Sequence, residues 1–103
     1  EGTIPFTKAV ELCSFNPAKI FGCTEKGSLS VGKDADIVIY DPEKDFAVTC
    51  ANMHSDYDHT IWEGTKFHGY PVQTYLRGSL VYDNGNFTGT PGSGMYIKRS
   101  TSK

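Results

Sequence analysis

The sequence predicts a mainly β chain with helices at its N-terminus. Three observations carry that prediction. Apolar side chains at Phe6, Ala9, Val10 and Cys13 recur at the spacing of one helical face. Ile37-Val38-Ile39-Tyr40 is an unbroken, β-branched-rich run between turn signals, the pattern of a strand covered on both faces. Asp83-Asn84-Gly85-Asn86 places Asn-Gly at the centre of a turn, and both residues tolerate the positive φ that a type I′ hairpin needs.

In chain order, the first helix is expected over Ile4 to Phe15, with Leu12 widening its stripe and Pro5 in the first turn, where a missing N–H costs nothing. Asn16-Pro17-Ala18-Lys19-Ile20-Phe21-Gly22 has the grammar of a second, short helix: Asn16 as N-cap, Pro17 at the first helical position, Gly22 as the stop. Neither is long enough to stand alone, so both must pack on the sheet or on a further domain. Gly27 and Gly32 then close a tight turn ahead of the Ile37 strand, which Asp41-Pro42 is expected to end. Phe46 to Cys50 alternates like a strand with one wet face. Ala51 to Gly64 is polar and reads as a loop anchored by Trp62. Thr65 to Tyr70 is a further strand stopped by Pro71, and Val72 to Leu76 with Ser79 to Tyr82 flank Arg77-Gly78 before the Asn-Gly hairpin into Phe87. From Gly89 the chain is rich in Gly, Pro and Ser, and Met95-Tyr96-Ile97 gives this tail a means of lying across a partner.

Composition narrows the function classes. The 103 residues carry a formal charge of −2, and their basic cluster is Lys98, Arg99 and Lys103 at the end, so no nucleic-acid partner is expected. No segment reaches the about 20 consecutive apolar residues of a membrane helix, and none resembles a secretion signal. Cys13, Cys23 and Cys50 are odd in number and form no CxxC pair, which suits a reducing, cytoplasmic setting. Asn86-Phe87-Thr88 matches the glycosylation pattern by chance in that setting. Glu1 stands where an intact chain would carry Met, as expected of a piece of something longer.

The groups that could do chemistry are weak candidates. His54, Asp56, Asp58 and His59 supply two imidazoles and two carboxylates within six residues, but not at the spacing by which one helix or strand gathers both imidazoles on one ion. His68 is expected to be a hydrogen-bonded structural residue. Asp34, Asp36 and Asp41 lack the calcium-loop pattern and read as acceptors of backbone N–H groups at strand ends. Cys13 falls on the apolar helical face, where a thiol acts as a small hydrophobe, and Cys50 has no base beside it. Ser14, Ser28 and Ser30 sit in no nucleophile elbow.

Asn16 to Gly22, Lys26-Gly27-Ser28-Leu29-Ser30-Val31-Gly32 and Asp34 to Pro42 together resemble the C-terminal end of an amidohydrolase-superfamily enzyme. His54-Ser55, Asp58, Trp62-Glu63-Gly64, Gly69-Tyr70-Pro71-Val72, Arg77-Gly78 and Pro91-Gly92-Ser93-Gly94 narrow the resemblance to hydantoinases and dihydropyrimidinases. The resemblance spans essentially the whole chain. It departs from the family pattern at Cys13, Phe15, Cys23 to Glu25 and His59.

The resemblance implies a TIM-like (β/α)₈ barrel holding two zinc ions, joined to a β-sandwich assembled from both chain ends. Residues 1–26 would be the last helical part of the barrel, 27–88 the C-terminal share of the sandwich, and 89–103 a tail that is flexible or packed on a neighbouring subunit through Met95, Tyr96 and Ile97. Further implications are a homotetramer and hydrolysis of cyclic amides in pyrimidine catabolism. The metal ligands would lie upstream, so no catalytic, cofactor-binding or metal residue is carried over to this chain, and the segment by itself is expected to bind no zinc. Two rivals share the pattern: a non-catalytic homologue of the collapsin response mediator type, and another cyclic amidohydrolase such as an allantoinase or dihydroorotase.

Overall fold

The computed structural model describes residues 3–101, and the chain divides into two compact units, Glu1–Asp36 with Pro91–Lys103, and Ile37–Thr90. In the first unit one helical run replaces the two helices expected. It begins at α1 (Phe6–Val10), passes through a π-helical turn (Glu11–Phe15) and ends in α2 (Asn16–Ile20). Pro5 is extended, at φ −61° and ψ 149°, and caps the run from outside its first turn.

Asn16 is not an N-cap. Its backbone is right-handed helical, at φ −65° and ψ −46°, and its N–H donates to the Glu11 carbonyl five residues back. Pro17 explains the wide turn. Inside an α-helix its ring would collide with the carbonyl four residues earlier and it has no N–H to give. An i to i+5 turn just upstream carries the helix past the proline without breaking it. Gly22, at φ +73°, ends the run as expected.

In the second unit an antiparallel sheet has the order β1-β2-β3-β4, with β1 (Ile37–Ala47), β2 (Lys66–Leu76), β3 (Ser79–Asp83) and β4 (Asn86–Phe87). Two expected strand ends are not ends. β1 continues through Asp41-Pro42 to Ala47, merging what the sequence separated into two strands, and β2 continues through Pro71. The register shows how. Asp41 pairs with Tyr70 and Asp45 with His68, so Pro42 to Lys44 bulge opposite Gly69 alone. A proline in a bulge on an edge strand removes no ladder bond. Pro71 sits beside a second irregularity, Val72 being skipped between the Tyr40–Pro71 and Ile39–Gln73 pairs, and β3 pairing begins only at Gln73. Both hairpins have positive φ at their two central residues: +48° and +83° at Arg77-Gly78, +47° and +94° at Asn84-Gly85.

The loop from Ala51 to Gly64 opens with a 3₁₀ turn, Ala51–Met53. Its anchor is Asn52, not Trp62, which is 58% exposed. Asn52 accepts from the Thr49 N–H and donates its side-chain amide to the Ala47 carbonyl, both at 2.9 Å. Among the described residues Val48 is the one buried large apolar side chain, while Val38, Ile39 and Tyr40 are exposed rather than covered.

Candidate functional site

The first unit contains an open groove walled by the C-terminal half of the helical run, the Cys23–Thr24 turn and the tail from Tyr96 to Thr101. Gly22 joins its walls. The Ser100 N–H donates to the Gly22 carbonyl at 2.8 Å. A Cβ on Gly22 would lie 2.1 Å from the Ser100 carbonyl oxygen, so the tail reaches this position because the helix stops on a residue without a side chain. The aromatic residues Phe15, Phe21 and Tyr96 line the groove together with Lys19, Lys26, Lys33, Lys98 and Arg99.

Of these cations, Lys26 is matched within the unit. Its ammonium lies 2.8 Å from Asp34 and also bonds Asp36. The hydrogen bonds to Asp34 and then to Asp36 hold its pKa above the ordinary lysine value, against the opposing effect of burial. Those two carboxylates are therefore partners of Lys26, a role the sequence expectation did not give them. Their spacing of two residues lets one ammonium bridge both. Asp41 does behave as expected, accepting the Glu43 N–H at 2.9 Å.

The polar loop gathers no ligand set. His59 meets its neighbour Asp58 at 3.0 Å, His54 stands edge-on to the Tyr82 ring 6.2 Å away, and no three His, Cys, Asp or Glu among the described residues converge where an ion could sit. Cys13 is exposed, not tucked into an apolar face, and the Cys50 thiol donates to the Tyr57 carbonyl at 2.8 Å. His68 pairs with Asp45 at 2.8 Å, with Glu43 at 3.8 Å from its other nitrogen. The bond to Asp45 raises its pKa, aided by the charges of Asp45, Glu43 and Asp41. Burial, with a contribution from Tyr82, raises that of Tyr70, whose ring stacks on Phe46 at 3.7 Å.

In the tail, Met95 and Tyr96 are 65% and 88% exposed. Lys103, part of the expected basic cluster, lies outside the described residues. Sequence reasoning missed the Lys26 bridge and the groove; the signal available was Lys26 ahead of the Asp34-Ala35-Asp36 step, ten residues before Asp36, which spacing alone does not join.

Comparison with known proteins follows from this geometry. The sequence pattern of an amidohydrolase family matches residues 1–82. A D-hydantoinase of Rhizobium radiobacter is 43% identical over 100 residues, and one of Ralstonia pickettii is 42% identical; each alignment covers 96% of this chain and 22% of the relative. The crystal structure of a dihydropyrimidinase from Brevibacillus agri NCHU1002 superposes with a TM-score of 0.92 at 38% identity, over 97% of this chain and 22% of that one. The chain thus spans about a fifth of the length of the proteins it matches.

Proposed function

Because the chain belongs to the amidohydrolase family, we propose that it is the C-terminal share of a cyclic amidohydrolase that opens hydantoins or dihydropyrimidines to N-carbamoyl amino acids. One observation carries this reading: sequence identity and superposition with hydantoinases and a dihydropyrimidinase run along nearly the whole chain, not along one motif. In the reaction water adds to the ring carbonyl and the ring C–N bond breaks, leaving a carboxylate and a carbamoyl group. The described residues offer no set of side chains that fits a binuclear metal centre, so no step is assigned to a metal here. The zinc ions and catalytic groups of the reading belong to the rest of the parent chain.

The role proposed for this segment is structural. Residues 1–26 would complete the barrel, 27–88 would form part of the sandwich, and 89–103 would reach a neighbouring subunit of a homotetramer through Met95, Tyr96 and Ile97. Exposed apolar surface supports a covering partner: Phe6, Ile20, Val38, Ile61 and Trp62 are each more than half exposed, far more than a self-sufficient domain leaves in water. A cytoplasmic place in pyrimidine catabolism completes the proposal; no helix among the described residues is long and apolar enough to cross a membrane.

The test is turnover by the full-length parent. Ring opening of dihydrouracil and phenylhydantoin, with little of allantoin or dihydroorotate, is the expected result. Preference for either of the latter moves the assignment to another cyclic amidohydrolase. Absence of turnover by a folded, metal-supplied parent supports the non-catalytic homologue.

A further inference from the structure

We propose that the groove of the first unit seats an acidic, apolar-bearing segment of the parent chain lying outside these 103 residues. This rests on the reading of the chain as one part of a larger protein and deepens it by naming the chemistry of the contact.

The argument begins with charge. Among the described residues five cationic side chains line the groove and no Asp or Glu does. Lys26 is already matched by Asp34 and Asp36. The Lys33 ammonium donates to the Thr24 carbonyl, which leaves its charge uncompensated. Among the described residues no ion pair engages Lys19, Lys98 or Arg99. Four like charges gathered around one concavity repel each other and raise a positive potential inside it, which an acidic occupant relieves.

The groove is also apolar. Ile20, Phe21 and Tyr96 line it at 75%, 57% and 88% exposure. Aromatic rings beside unmatched cations suit a peptide that carries Asp or Glu next to an apolar anchor better than they suit a free small anion. A segment of the same chain holds the advantage over a separate molecule. The relatives are between four and five times longer than this chain, as its 22% share of their length shows. Tethering the occupant turns its binding into an intramolecular event at high effective concentration. The Ser100 N–H ties the tail wall to the Gly22 carbonyl, so the groove can be altered from the tail side by a change at Ser100.

The experiment is zero-length carbodiimide cross-linking of the full-length parent, prepared as an equal mixture of light and heavy isotope-labelled copies, followed by peptide mass spectrometry. The expected products join Lys19 or Lys98 to Asp or Glu residues outside this segment, with both peptides carrying the same label, and their yield falls severalfold at high salt. Mixed-label products of Lys19, on the helix wall, assign the groove to a second copy and overturn the proposal. So do products confined to carboxylates of these 103 residues, and so does the absence of products. In Ser100→Pro, which removes the N–H donor, Lys98 products should fall severalfold while Lys19 products persist; unchanged Lys98 products overturn the place given to the tail. Turnover is not the readout, so a parent that hydrolyses hydantoins but yields no such cross-links defeats this proposal alone, and a parent without activity leaves it testable in full.

Discussion

Gly69 is the buried residue opposite the bulge of β1, at φ +94°, and the Tyr40 hydroxyl lies where its Cβ would be, at 2.1 Å. Two separate constraints therefore select glycine: a backbone conformation that side chains resist, and a ring already in the space. Gly69→Ala should destabilise the parent by about 1–3 kcal/mol through backbone strain alone, with the steric contact added. Adding Tyr40→Phe should recover part of the loss, because the nearest atom goes while the ring carbon at 2.9 Å and the strain remain; denaturant unfolding of both variants measures this, and full recovery would place the whole cost in the hydroxyl. The neighbouring His68 gives a second prediction. Its partner Asp45 raises its pKa in the folded state, so the pair contributes stability that is complete below the unfolded value of about 6.5. That contribution is lost as pH rises through the folded value. Because the imidazole is well exposed, water screens the pair and its effect on stability is small. An NMR titration of the imidazole should show the pKa fall toward the ordinary value in Asp45→Asn, and an unchanged titration would remove Asp45 as the cause. Neither this pair nor the Lys26 bridge was legible in the sequence, since their members are 23 and 10 residues apart and only the folded register brings them together.

At the scale of elements, the prolines decide where reading by local signals succeeds. Pro17 is the cause assigned to the π turn over Glu11–Phe15, and that assignment is testable. In Pro17→Ala the turn should close to regular α-helix, seen in NMR as i, i+4 contacts replacing i, i+5 contacts. Stability should rise, by less than the about 3 kcal/mol that separates proline from alanine inside a straight helix, since the wide turn has already relieved the clash. A π turn that persists would shift its cause to packing. The same residue shows why the sequence pointed to two helices: Asn-Pro is an N-cap signal only if the chain before it is not already helical. Pro42 and Pro71 likewise mark strand ends by propensity, yet both strands run through them because Pro42 lies within a bulge and Pro71, paired with Tyr40, adjoins a second one. That depends on the partner strand and is invisible in either strand alone. The Asn84-Gly85 hairpin was legible, because its geometry is settled by two residues' tolerance of positive φ, whereas Arg77-Gly78 was read only as the break between two strands, since the positive φ of Arg77 leaves no mark in residue type. Asn52 was not found as the loop's anchor, since its role is made by backbone groups at Ala47 and Thr49 and leaves no mark in the pattern of side chains.

For the whole molecule the deciding quantity is how little of its apolar surface is buried. Folding must offset the ordering of each residue, roughly 1–2 kcal/mol for the backbone alone, and the largest favourable contribution is apolar area taken out of water. Val48 at 4% exposure is the sole large apolar side chain buried among the described residues, while Phe6, Ile20, Trp62 and Phe87 stay more than half exposed. β1 also presents one unpaired edge, since the sheet order begins with it, and its exposed Val38 and Ile39 give that edge an apolar character. An open apolar edge recruits other strands. The 103-residue chain prepared alone should therefore self-associate or melt without a sharp transition, and should bind an apolar dye at neutral pH as partly packed chains do. Sedimentation with calorimetry decides the matter: a monodisperse monomer with a cooperative melt would show that burial of this extent is sufficient, and would remove exposed surface as support for a covering parent. Charge sharpens the expectation for solution conditions. The net charge of −2 is too small to keep copies apart, so association should persist from low to moderate salt, being driven by apolar contact rather than by ion pairs.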